Sequence, residues 1–137
     1  MDVSERFEQL IAFVSSQLPK PVEEQHGGDG SILFTGGEPP EVIVYLTDQT
    51  VVVSEFAGEW EEDRFSIAPH LVGELYWHAL PETALMNALS ALIKGAREAR
   101  LSTYRICPEC GESVSPEYFG AAGLCDRCAD EPPGVIH

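Results

Sequence analysis

The fold class is decided by the stretch Glu41-Val-Ile-Val-Tyr-Leu-Thr-Asp48-Gln49-Thr50-Val-Val-Val-Ser-Glu-Phe56. Val, Ile, Thr and Tyr favour extended strands, and the polar pair Asp48-Gln49 is typical of a tight turn. Apolar residues alternate along both halves of the stretch, at Val42, Val44 and Leu46 and again at Val51 and Val53. This alternation predicts two antiparallel strands, over residues 41–47 and 50–56, that are covered on one side.

Further strand patterns flank this hairpin. Residues 31–35 form an earlier run, which Gly36-Gly-Glu-Pro-Pro40 separates from the hairpin, and residues 64–67 form a short later run. Residues 70–79 suit either a strand or a helix, and we favour the strand because Trp, Tyr and Val are enriched in strands. We expect residues 23–30 to form a polar loop and residues 58–63 an acidic connection.

Two stretches have the period of amphipathic helices. In residues 2–18 six apolar residues fall on one face, Asp2 and Glu5 are placed as a capping box, and prolines follow. The second stretch covers residues 81–101, opens with Pro81, and places these residues on one face: Leu85, Leu89, Leu92, Ile93 and Ala96. We therefore predict an α+β domain over residues 1–103, with an N-terminal and a C-terminal helix packed on an antiparallel sheet of four to five strands.

All four cysteines lie in the last quarter of the chain, as two Cys-x-x-Cys pairs separated by fourteen residues. Each pair can bind one edge of a metal ion, and a connection of this length lets the chain double back so that four thiolates converge. Two disulfides would need an oxidising compartment, and the sequence does not begin with a secretory signal pattern. A thioredoxin-like redox pair would be a single Cys-x-x-Cys motif beside a strand–helix unit, whereas here the motif occurs twice. The spacing favours one tetrahedral Zn(II) per chain, with these ligands: Cys107, Cys110, Cys125 and Cys128.

The first pair has the form Cys-Pro-Glu-Cys-Gly, in which Gly111 tolerates the positive φ of a tight metal-binding knuckle. On these residues, segment 104–137 resembles the zinc-ribbon and treble-clef class, whose first knuckle lies on a hairpin and whose second leads into a turn or short helix. The resemblance implies a small structural zinc module with four protein ligands and no open coordination position. A segment this short needs the metal to fold, and we expect it to be docked on the preceding domain. Its apolar residues would either form a cluster around the site or dock it on the rest of the protein: Ile106, Val114, Tyr118, Phe119 and Leu124.

The charge of the chain limits its partners. Eight Lys and Arg residues stand against 23 Asp and Glu residues, which gives a formal net charge of −15. Binding to a phosphate backbone requires clustered basic residues, so direct nucleic-acid binding is not expected. An acidic surface could meet another protein, in particular a basic one, or imitate nucleic acid, although we favour the simpler interpretation that the negative charge keeps the protein soluble. No stretch approaches the ~20 apolar residues of a membrane span, and we expect a cytoplasmic protein.

Other polar groups suggest chemistry only weakly. The four histidines, which are His26, His70, His78 and His137, have no nucleophile or metal motif beside them. The glycine-rich residues 26–30 lack a phosphate-binding pattern and are expected to form a flexible connection. The acidic run is expected to be a solvated loop, with Trp60 as a candidate contact residue: Glu59, Glu61, Glu62 and Asp63. The last helix carries a candidate basic patch, although cations there also offset the helix dipole: Lys94, Arg97 and Arg100.

Three functional hypotheses follow from the sequence. The favoured one is a zinc-stabilised binding or adaptor protein, because the metal site is closed and no catalytic motif is present. The second is an enzyme whose site is assembled from scattered groups such as His70, Glu74 and His78, which would require a polar pocket. The third is a regulator in which oxidation of the thiolates ejects zinc.

Overall fold

An antiparallel sheet of five strands, in the order β1-β2-β3-β4-β7, forms the centre of the protein. The computed structural model describes residues 3–62, 64–118 and 125. Its elements, in chain order, are α1 (Val3–Gln17), β1 (Val22–His26), β2 (Ile32–Gly36), β3 (Val42–Leu46), β4 (Thr50–Glu55), β5 (Gly58–Glu61), β6 (Arg64–Ile67), β7 (His70–Tyr76), α2 (Glu82–Ser102), β8 (Arg105–Ile106) and β9 (Ser113–Val114). Short 3-10 turns cover Trp77–Ala79 and Pro116–Tyr118. The predicted α+β class is therefore confirmed.

The register of the central strands explains which sheet face is buried. Phe34 lies opposite Val44, and Val44 lies opposite Val53, so these residues form one row across β2, β3 and β4. All three side chains are fully buried. Because side chains alternate along a strand, every second residue of these strands faces the same core.

Both helices pack on this buried face. Leu10 and Val14 of α1 and Leu89 of α2 belong to the same buried cluster as the sheet residues. Trp77 closes the core next to them: its indole N–H donates to the Thr47 carbonyl at 3.0 Å. Full burial of an aromatic ring of this size requires that its polar atom find a partner, and the Thr47 carbonyl supplies it. No helix in the described part of the chain is long and apolar enough to cross a membrane.

The interpretation of residues 70–79 as a strand is confirmed over His70–Tyr76, after which the chain turns through Trp77–Ala79. The predicted capping box includes Asp2, which lies outside the described residues. Two loop predictions are wrong in part. Residues 23–26 belong to strand β1, so that only residues 27–30 form the expected turn, and residues 58–61 form strand β5, which pairs with β6 in a separate hairpin. Both strands are largely exposed, so neither needs the apolar alternation that identifies a half-buried strand.

Candidate metal centre

The first cysteine pair lies on a short hairpin, as the resemblance to zinc ribbons implied. Strand β8 precedes Cys107 and pairs with β9, which follows the knuckle. The Cys107 amide donates to the Glu112 carbonyl at 2.9 Å, and the Gly111 amide donates to the Cys107 carbonyl at 2.8 Å. Gly111 has φ +73°, a conformation that a residue with a Cβ adopts only with strain. The backbone therefore turns within the knuckle and holds both cysteines on one side of it.

Three thiols converge at this knuckle. The sulfur atoms of Cys107, Cys110 and Cys125 all lie within 4.8 Å of one another, and those of Cys110 and Cys125 are 3.8 Å apart. A Zn–S bond of about 2.3 Å gives a tetrahedron whose sulfur atoms are about 3.8 Å apart, so the spacing fits a metal. None of the three described cysteines is part of a disulfide. The fourth predicted ligand, Cys128, lies outside the described residues.

The environment of Cys107 favours its thiolate. The backbone amide of Cys125, followed by that of Cys110, lowers the pKa of the Cys107 thiol to about 6. The Cys107 side chain is fully buried, and Cys125 is nearly so. The thiolate is the form that binds a metal, and these amides stabilise its charge where water cannot reach it.

The predicted apolar cluster around the site forms only in part. Val114 packs against the cysteines, but the side chains of Ile106 and Tyr118 are exposed, so their placement in the cluster was wrong. Phe119 and Leu124 lie outside the described residues. The part of the chain after α2 that carries the cysteines, described over residues 104–118, is termed the cysteine segment. It gains much of its support from contacts with the preceding domain.

A buried ion pair joins the cysteine segment to α2. The guanidinium of Arg100, whose side chain is 1% exposed, donates to the carboxylate of Glu117. It also donates to the Pro40 carbonyl at 3.0 Å and lies against the rings of Phe56 and Tyr104. Arg100 therefore contacts the sheet domain and the cysteine segment at once.

A second contact comes from the small hairpin. The indole N–H of Trp60 on β5 donates to the Pro116 carbonyl at 2.8 Å, and the Trp60 ring meets Phe65 of β6 edge-on. The sequence suggested Trp60 as a contact residue, and its observed contact is within the chain. These interactions agree with the expectation of a docked segment.

The other candidate residues do not assemble a catalytic site among the described residues. His70 pairs with the Glu55 carboxylate at 3.4 Å, whereas the Nε2 atom of His78 lies 2.6 Å from the Asp48 carbonyl. Glu74 lies on β7 opposite Val52, facing away from the core. Because each group has a different neighbour, the enzyme hypothesis finds no support in their arrangement. His137 lies outside the described residues.

In the glycine-rich turn after β1, the side chain of Asp29 accepts hydrogen bonds from within the turn. The Asp29 carboxylate accepts hydrogen bonds from the Ser31 amide at 3.0 Å and the Ser31 hydroxyl at 2.6 Å. These bonds lower the pKa of Asp29, so a negative charge occupies the turn. That charge would repel a phosphate, and the turn therefore serves to connect β1 and β2.

The acidic run and the cations of α2 have structural roles or none. Glu59, Glu61 and Glu62 are exposed on the β5–β6 hairpin, as expected of solvated charges, and Asp63 lies outside the described residues. Arg97 donates to the Glu41 carboxylate at 2.8 Å, and Arg100 is buried. The candidate basic patch therefore does not form, because two of its three cations contact other groups of the chain.

Sequence reasoning missed the role of Arg100, although a signal was present. Arg100 continues the series Leu85, Leu89, Ile93 and Ala96, all of which are buried on α2. An arginine at the next position of an apolar helix face has its stem in the core and needs a buried partner for its charge. That partner, Glu117, could not be identified from spacing alone.

Comparison of the chain with family models, with curated proteins and with solved structures finds no match.

Proposed function

We propose that the chain is a zinc-binding protein with one structural Zn(II), held by Cys107, Cys110, Cys125 and Cys128. The observation that carries this proposal is the convergence of three buried or half-buried thiols at the edge length of a zinc–thiolate tetrahedron. Cys128 enters as the fourth ligand from the sequence, because it completes the second Cys-x-x-Cys pair. Zinc bound there would neutralise part of the thiolate charge and fix the turn around Gly111.

The zinc would act as a structural support for a protein-binding or adaptor role in the cytoplasm. Four cysteine ligands leave no coordination position for a substrate or an activated water. With zinc bound, the cysteine segment is termed the zinc segment. The Arg100–Glu117 pair would hold this segment against α2 and the sheet. A partner protein with basic character would complement the net charge of −15.

The test is to measure bound metal and free thiols on the full chain purified without chelators. We expect one zinc per chain and four thiols that react only after a chelator has removed the metal. Replacing the zinc by Co(II) would add the visible absorption of a tetrahedral thiolate site. A chain with no metal and no titratable thiols would contradict the proposal.

Replacing Gly111 by Ala is expected to weaken zinc binding by roughly 5- to 30-fold, because an alanine at positive φ costs about 1–2 kcal/mol. Among the described residues, apart from the two chain neighbours of Gly111, no atom lies within 4 Å of the Cβ that would be added, so we expect backbone strain to be the cause. Zinc affinity would be measured by competition with a chromophoric chelator.

Gly95→Ala is a matched control for this variant. Gly95 lies within α2, where a Cβ also meets nothing within 4 Å, so alanine should stabilise the helix by about 0.5–1 kcal/mol. Zinc affinity should then be unchanged. Equal affinities of Gly111→Ala and the unmodified chain would contradict the role of the knuckle.

A further inference from the structure

The face of the five-stranded sheet opposite the two helices is built from two rows of side chains. The strand register places one row at Gln25, Leu33, Tyr45, Val52 and Glu74 and the other at Glu23, Thr35, Ile43, Ser54 and Leu71. These ten positions are termed the outer face. On β1 to β4 they alternate with the residues that face the core, so they point away from α1 and α2. On β7 an irregularity of the pairing between Val53 and Ser54 brings Leu71 opposite Ser54, on the same side as Glu74.

The outer face has the composition of a buried surface. A solvated face of an antiparallel sheet carries mostly polar residues, but half of these ten positions are apolar. Strand β3, which reads Val-Ile-Val-Tyr-Leu, is apolar at every position, a pattern typical of strands covered on both faces. Leu71 is nevertheless 67% exposed and Tyr45 39% exposed. An exposed apolar surface of this kind marks an interaction site.

The charges around the outer face favour a basic occupant. Strands β1, β2, β3, β4 and β7 contain no Lys or Arg, and the outer face carries Glu23 at one edge and Glu74 at the other. A second copy of the chain would bring the same carboxylates and a second net charge of −15 against them. Lysine or arginine residues beside an apolar stripe would instead pair with both edges.

The dimensions of the apolar rows favour a helix. From Leu33 on β2 to Leu71 on β7 the rows cross three strand spacings, or about 14 Å. A helix with its side chains is about 10–12 Å wide and could cover them from above. A strand added to the edge of the sheet would bind the backbone of β7 and leave Leu33 and Tyr45 uncovered.

We infer that the outer face binds an amphipathic helix of another protein, whose apolar stripe is flanked by Lys or Arg. The inference rests on the proposed function in that it gives the protein-binding role a surface and a partner chemistry. Tyr45 and Leu71 are the apolar anchors of the contact. Glu23 and Glu74 orient the helix by pairing with its basic flanks.

The probe is a designed 18-residue helical peptide with Leu along one face and Lys on both flanks, with a matched peptide that carries Glu in place of Lys. Each is titrated into the full-length chain by calorimetry and by amide chemical-shift mapping. We expect the Lys peptide to bind, to shift the amides of β2, β3, β4 and β7, and to weaken with added salt. The Glu peptide should not bind.

Two variants locate the contact. Tyr45→Ser combined with Leu71→Ser should weaken binding of the Lys peptide about tenfold or more, since both side chains are exposed anchors. Val3→Ser is the matched control, because Val3 is 56% exposed on α1 and lies away from the outer face. It should leave binding unchanged.

Other results would overturn the inference. These are equal loss of binding in Val3→Ser, shifts confined to surfaces other than the outer face, or a concentration-dependent dimer that the Tyr45/Leu71 variant abolishes. Metal content measured on the same samples separates this inference from the zinc proposal. A chain without zinc that still binds the Lys peptide on the outer face would contradict the structural zinc and support the docking surface.

Discussion

Cys107→Ser is expected to abolish stoichiometric zinc binding and to release the segment after α2, while the five-stranded sheet and both helices stay folded. Loss of a group that merely orients a ligand costs about 10–100-fold in metal affinity, so loss of a ligand itself should exceed ~100-fold. Cys107 is the most constrained of the described cysteines, because its side chain is fully buried and its backbone amide donates a hydrogen bond to the Glu112 carbonyl. A serine hydroxyl is neutral at pH 7 and is a poor zinc ligand.

The two tryptophans allow the effect to be followed optically. Trp60 reports on the zinc segment, because its indole donates to the Pro116 carbonyl, whereas Trp77 is fully buried beside α1. Zinc removal by a chelator should change the Trp60 emission, and Cys107→Ser should already have the emission of the zinc-free chain. In a Trp60→Phe background this change should disappear.

Ser113→Ala is the control for Cys107→Ser, since Ser113 is exposed on β9 within the same hairpin. It should retain one zinc per chain by elemental analysis. One zinc per chain in Cys107→Ser, bound with unchanged affinity, would contradict the assignment of Cys107 as a ligand. Far-ultraviolet circular dichroism of both variants would check that the sheet and helices persist.

The predictable parts of this protein are those where local sequence and burial agree. Strands β3 and β4 were predictable because their alternate residues face a core made by both helices. Strand β1 was missed because it is an edge strand with the sequence Val-Glu-Glu-Gln-His, in which four of five residues are exposed. Strand β5 was missed for the same reason, since it pairs only with β6 outside the main sheet. Where pairing of the backbone, and not burial, holds a strand, its sequence pattern is weak.

The candidate metal site was likewise predictable only in part. Cys107 and Cys110 were predictable as a pair because metal-binding spacing is a local property of the chain. The contact between Arg100 and Glu117 was not predictable, because it depends on how the cysteine hairpin is oriented against α2. The Arg100 position was readable from the helix period, but its partner was not. The sequence therefore predicts what the last segment binds better than where that segment sits.

Arg100→Met is expected to destabilise the docked state of the zinc segment by about 3–5 kcal/mol, the usual effect of leaving one member of a buried ion pair alone. Methionine keeps much of the length of the arginine stem, so the main loss is the charge. The Glu117 carboxylate would then be left without its cation, and one of its oxygen atoms already has no hydrogen-bond partner among the described residues. Detachment of the segment would return this carboxylate to water.

Urea unfolding of the zinc-loaded chain measures this effect when it is followed by two probes. Trp60 emission reports detachment of the segment, and far-ultraviolet circular dichroism reports unfolding of the sheet and helices. In Arg100→Met we expect the Trp60 transition to move to lower urea and to precede the dichroism transition. In the unmodified chain the two should lie closer together, because Arg100 contacts both Glu117 and the Pro40 carbonyl.

Arg97→Met separates the loss of a buried guanidinium from the loss of a half-exposed one on the same helix. Arg97 pairs with the Glu41 carboxylate, which is 11% exposed, but the Arg97 side chain itself is 53% exposed. Water can therefore take its place at the carboxylate, and its loss should cost no more than about 1 kcal/mol. Glu117→Gln added to Arg100→Met should recover most of the lost stability, because no charge is then buried alone. If Arg100→Met and Arg97→Met shifted the Trp60 transition equally, Arg100 would not be what holds the zinc segment on the domain. A larger shift in Arg100→Met, reversed in the double variant, would establish the buried pair as the link between zinc binding and the sheet.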